Sequence, residues 1–193
     1  MTPPELLDVL TVWFGGTDQE QLGRVRQSWF RKDPVFDDML RQRFLGLWQD
    51  ACDGKIAPQA DDALSMLAWV VLTDQLPRNM FRGDARSFAT DALALRAANA
   101  MVAAGQDQVL PLPAKVFVYL PFEHSEQLAD QDRAIVLFDA LGEGELAAGY
   151  QDYARRHRDI IVTFGRFPHR NAVLGRDNTP EETAFLQTPG SSF

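Results

Sequence analysis

Three stretches of the chain carry the residue types able to do chemistry. Phe164 to Arg176 reads F-G-R-F-P-H-R-N-A-V-L-G-R and sets Arg166, Arg170 and Arg176 beside His169 and Asn171. Guanidinium groups offer planar, paired donors that match a carboxylate or a phosphate, and imidazole and amide add further donors. Leu76 to Gly83 supplies Arg78 and Arg82 just after Asp74, and Pro121 to Glu126 supplies Glu123 and His124. Binding of a small anionic ligand or an acidic peptide end would use Arg166, His169, Arg170, Asn171 and Arg176, with Arg78 and Arg82 as second contributors. Hydrolase-type acid–base catalysis would instead use His124 or His169 as proton shuttle, with Glu123 or Asp74 orienting the ring and arginines holding an anionic substrate. A plainer reading competes with both. In it the arginines neutralise buried carboxylates such as Asp74 and Glu123, tie the C-terminal loop to the middle of the chain, and only lock the fold.

Other chemistries find little support. The three histidines, His124, His157 and His169, are not spaced as H-E-x-x-H, and no two lie one helical turn apart, so no metal is expected. G-x-S-x-G, P-loop and G-x-G-x-x-G patterns are missing, and no cofactor is expected. Gly142-Glu143-Gly144 is a poor phosphate cradle because its glutamate would repel the anion. Cys52, the single cysteine, has no basic neighbour before Lys55 and reads as an inert thiol. A net charge of −8 argues against nucleic-acid and anionic-membrane surfaces. Between Arg155 and Arg176, however, six arginines stand against Asp159 alone, a local +5 that leaves −13 on the remainder. No stretch is long and apolar enough to span a bilayer, the start lacks a signal-like pattern, and the expectation is a cytoplasmic protein.

Helices must position these residues. Thr2-Pro3-Pro4-Glu5 resembles a capping box, and Leu6, Leu7, Leu10, Trp13 and Phe14 follow at helical spacing up to Gly15-Gly16. Trp13-Phe14 and Trp29-Phe30 read as core anchors. Asp33-Pro34 starts a long helix ending near Gly54, and Asp61 or Asp62 caps another whose apolar stripe runs into Asp74. Leu76 to Gly83 reads as a helix break, after which Asp84 caps a helix carrying Phe88, Ala92 and Leu95. Pro111 and Pro113 bracket a loop, Val116 to Phe122 is assigned to a short helix, and Pro121 to Glu126 opens the next, placing His124 and Gln131 on one face. Tyr150, Tyr153, Ala154, His157, Ile160, Ile161 and Phe164 form the clearest amphipathic pattern, with His157 inward and Arg155, Arg156 and Arg158 outward. Thr179-Pro180-Glu181-Glu182 caps a last helix. The result is one all-α domain over residues 1–193.

Leu72-Thr73-Asp74-Gln75-Leu76-Pro77-Arg78-Asn79 with Phe81-Arg82-Gly83 resembles the L-x-D-Q-x-P-R-N block of the bacterial DUF924 family. Leu120 to Glu126, with Asp130-Gln131, is similar to its L-P-x-E-H-S-E block, and Phe164 to Asn171, Leu174 to Arg176 and Thr179 to Glu182 resemble its C-terminal signature. The resemblance implies a tetratricopeptide-like array of antiparallel helices with degenerate repeats. It implies no activity. By fold-level analogy, such scaffolds act by binding.

Overall fold

The structure is a computed structural model and describes residues 4–29 and 31–191. Thr2 and Pro3 of the first capping box, and Phe30 of the second aromatic pair, lie outside the described residues. Regular structure among the described residues is helical, with no strand. By contacts the chain divides into two compact units, one formed by Met1–Arg82 and Arg86–Pro121, the other by Gly83–Ala85 and Phe122–Phe193.

The first unit begins with α1 (Pro4–Phe14), a single turn α2 (Gln19–Leu22) and the long α3 (Pro34–Cys52), which Asp33 caps by accepting from the Val35 and Phe36 N–H groups. Trp13, Phe14 and Trp29 are buried as expected, and all three meet Phe117 edge-on, with centroids 5.6, 5.4 and 4.8 Å away. Asp62 caps α4 (Ala63–Val70). The helix then does not break where the prolines suggested. A π-helical turn, Val71–Gln75, carries it into α5 (Leu76–Met80), where Pro77 occupies an early position that tolerates its missing N–H. Asp84 does not start the following helix either. A 3₁₀ turn, Ala85–Phe88, intervenes, and α6 (Asp91–Ala103) starts after Thr90.

Val116 to Phe122 is helical, within α7 (Leu112–Glu123). Pro113 is its second residue rather than a loop bracket, and Pro121 lies in its last turn, so Pro121 to Glu123 closes a helix instead of opening one. The second unit continues through α8 (Leu128–Asp139) and α9 (Glu145–Phe164), which pack against each other. Gly165 ends α9 in the left-handed region at φ 70°, its N–H bonding Ile161 O, and turns the chain into the arginine-rich loop. Phe167 packs beneath that loop with Ile160, Ile161, Phe164 and Phe185. A complete capping box at Thr179 and Glu182 starts α10 (Pro180–Phe185).

Candidate functional site

In the first unit the predicted residues stand in two polar sets. Asp74 is fully buried in the π turn, accepts from Gln75 Nε2 at 2.5 Å and meets Arg78 at 3.3 Å. Arg78 also grips Asp91 with two bonds of 2.8 and 3.0 Å and donates to Asp74 O at 2.7 Å. Burial works against its charge, but the two carboxylates outweigh it and raise the guanidinium's pKa. Arg82 makes paired bonds to Asp37 at 2.6 and 3.2 Å, and Asn79 donates to the same carboxylate at 2.7 Å. Arg78 and Arg82 are therefore both engaged by acids of their own unit.

The arginine loop of the second unit is built the same way around two glutamates. Arg166 makes paired bonds to Glu182 at 2.6 and 2.8 Å, and Asn171 Nδ2 and the Thr179 N–H add bonds of 3.1 and 2.8 Å. These donors, led by Arg166, hold the Glu182 carboxyl down at about 2. Arg176 grips Glu126 at 2.7 and 2.9 Å, bonds Asn171 Oδ1 at 2.9 Å, and shares Glu126 with the Phe167 N–H. Burial pushes the Glu126 carboxyl up, yet these donors prevail and lower it. Arg176 and Arg166 are thus each paired with a carboxylate, Glu126 and Glu182 rather than the Asp74 and Glu123 named from the sequence.

A second set of groups converges on the turn that follows α7. Gln131 Nε2 donates to Glu123 O at 2.6 Å and to Ser125 O at 2.7 Å, while Arg170 Nη2 donates to the intervening His124 O at 2.9 Å. Three successive carbonyls at a helix end are thereby satisfied by side chains from α8 and from the loop. Gln131 reaches this turn although His124 is not on its helix, so their seven-residue spacing was not the relevant relation. The Arg170 guanidinium lies over the Phe167 ring, 4.6 Å from its centroid.

His157 is the centre of this set. It is buried on α9, as its place in the apolar stripe predicted, with Nδ1 2.9 Å from Tyr153 O and 3.2 Å from Glu123 Oε1. A carbonyl can only accept, so Nδ1 carries the proton and the ring is the Nδ1–H tautomer. Its centroid stands 6.3 Å from that of His124 and 5.6 Å from that of Phe167, whose ring also lies 5.6 Å from His169. Burial pushes the His157 pKa down to about 3, and the charges of His124, Arg170 and His169 act in the same direction.

Glu123 meets His157, and Asp74 belongs to the other unit's network. Sequence reasoning missed Gln131 as a polar anchor and Glu126 and Glu182 as carboxylate partners. Both glutamates stand inside the motif blocks, which was the available signal. Among the described residues no group of three or more His, Cys, Asp or Glu is arranged to hold a metal ion. An open depression of about 470 Å³ between α8 and α9, lined by Asp132, Ile135, Arg155, Arg158 and Asp159, contains none of the candidate residues. Its walls carry an Arg158–Asp132 ion pair of 2.6 Å on the surface, so concavity and chemistry do not coincide there. No described helix is long and apolar enough to cross a membrane.

Helical structure throughout the described residues, with the polar blocks tied into part-buried ion-pair networks, defines the class of protein. A family described as "Bacterial protein of unknown function (DUF924)" matches residues 9–190, and the chain belongs to that family. It is also similar to the solved structure of the protein of unknown function ATU0120 from Agrobacterium tumefaciens. The two share 39% identity over 94% of this chain and 96% of that one, with a TM-score of 0.83. No curated protein matches.

Proposed function

We propose that the chain is a cytoplasmic binding protein for a small anionic ligand or acidic peptide end, with His124, His169 and Arg170 as the recognising groups and Arg166, Arg176 and Asn171 holding them in place. The observation that supports it is the gathering of His124, His157 and Arg170 at the turn after α7, with His169 against the neighbouring Phe167 ring, inside an acidic protein. An anion entering that cluster would be stabilised by donors fixed in advance by the loop. Arg78 and Arg82, each gripped by two-oxygen contacts to an acid, fit a structural role better than a ligand-binding one. A tetratricopeptide-like arrangement of the helices belongs to the same reading, since such scaffolds act by presenting binding residues.

The test is thermal unfolding of the wild type, Arg170→Gln and Arg176→Gln with inorganic phosphate and simple carboxylates. A ligand at a hundred times its Kd stabilises the folded state by about 2.7 kcal/mol. The expected pattern is a rise in wild-type Tm that Arg170→Gln loses and Arg176→Gln, despite a lower starting Tm, keeps in part. If no anion moves the wild type, the binding reading fails and the fold-locking role of the arginines stands.

A second reading has its own support. The carboxylate–imidazole contact between Glu123 and His157 is the geometry that orients a catalytic base, so acid–base catalysis on an anionic substrate would run through His157 rather than through the two histidines first singled out. Turnover that is abolished by His157→Gln, with binding retained, would favour it.

A further inference from the structure

Gln131 is completely buried, and its amide orientation is fixed because both Nε2 contacts, Glu123 O and Ser125 O, are carbonyls that can only accept. Its Oε1 consequently points away from them as an acceptor, and it finds no donor among the described residues. A buried acceptor left without a donor is costly, so such atoms mark places where a further donor is wanted. The amide that carries it is anchored, through Nε2, to the carbonyls on either side of His124, on the same turn that Arg170 grips.

We infer that the ligand of this cluster carries a hydrogen-bond donor, a hydroxyl or an ammonium, beside its anionic group, and that Gln131 Oε1 receives it. The inference rests on the anion-binding reading and narrows it from anions in general to hydroxy acids, amino acids and their phosphate counterparts. Arg170, His124 and His169 would hold the charged end, while Gln131 would distinguish a ligand with an adjacent donor from one without. Sites that hydrogen-bond a ligand group discriminate strongly against the analogue lacking it, because the protein's own polar atom is then left unpaired.

The wild-type protein tests this without any mutation, by calorimetric titration with propionate, lactate and alanine, and in a phosphate series with methyl phosphate and 2-aminoethyl phosphate. Lactate or alanine should bind at least about tenfold tighter than propionate, the effect of one good hydrogen bond. Preference for lactate assigns a hydroxyl donor, and preference for alanine or the aminoethyl ester assigns an ammonium. Equal affinities throughout each series would overturn the inference and leave the anion-binding reading intact, with Oε1 satisfied by water only. If neither series binds, that reading falls and the inference with it. Gln131→Met, where it folds, should level the affinities within a series. A preference that survives the substitution would also overturn the assignment to Gln131.

Discussion

His157 shows how one side chain can belong to the core and still make stability depend on pH. Its folded pKa, near 3, lies below the ordinary 6.5 chiefly because burial disfavours the charged ring, with the electrostatic influence of His124, Arg170 and His169 acting in the same direction. Between those two values the unfolded chain takes up a proton that the folded chain refuses, so stability is complete above pH 6.5 and declines as the pH falls. From pH 6.5 to 5 the decline from this one group amounts to about 2 kcal/mol. Urea unfolding of the wild type and His157→Gln at pH 7 and pH 5 should show that share of the acid sensitivity removed in the variant. An identical pH slope in both proteins would mean that the ring is already charged in the folded state. Glu182 acts in the same direction at lower pH, its contribution being present above the usual carboxylate range and lost as the pH drops from 4.5 towards 2.

At the scale of elements, helix ends decide most of the architecture, and they do so through capping groups. Thr90 shows the principle away from a normal cap. It is buried, donates to Thr73 O in the π turn at 2.6 Å, and accepts from Trp48 Nε1 at 3.1 Å, so one hydroxyl joins α3, the π turn and the start of α6. Thr90→Val keeps the shape and leaves both partners unsatisfied, at a cost of about 2 kcal/mol in denaturant unfolding; a loss below about 0.5 kcal/mol would show that water replaces the hydroxyl. In the second unit, Glu126→Gln weakens the grip on Arg176 and the Phe167 N–H and should cost about 2 kcal/mol by the same measurement, with no change meaning that the loop is held by Glu182 alone. The ends marked by Asp33, Asp62 and Thr179 were legible in the sequence because an acceptor, an apolar period and a proline agree there. Leu76 to Gly83 and Pro121 to Glu126 were misread for one reason. Proline marks an expected boundary in both, a break at Pro77 and a start at Pro121, whereas Pro77 stands early in a helix continued through a π turn and Pro121 stands late in one. The partners of the site residues were less legible still, because which carboxylate meets which guanidinium depends on long-range packing that no local spacing encodes.

Charge at the scale of the whole chain links these levels. The six arginines from Arg155 to Arg176 make the sequence look electropositive there, yet five of them meet acids lying outside that stretch: Asp139, Asp152, Asp132, Glu182 and Glu126. Segregation along the chain is therefore largely undone by ion pairing. Arg155, Arg156 and Arg158 stand on the outer face of α9, where screening is effective, whereas Arg170 is buried and His124 and His169 are half-buried. Salt separates the two cases, because the Debye length falls from about 10 Å at 0.1 M to about 3 Å at 1 M while buried charges are screened far less. A phosphate-induced rise in Tm measured in about 0.05 M and about 0.5 M sodium chloride should keep more than about half its size if the anion sits among His124, His169 and Arg170. Loss of nearly the whole shift at the higher salt would place the anion on the outer arginines of α9 instead. The same acidic remainder of the chain would then account for weak binding of any longer polyanion, since each added negative charge meets a field of its own sign.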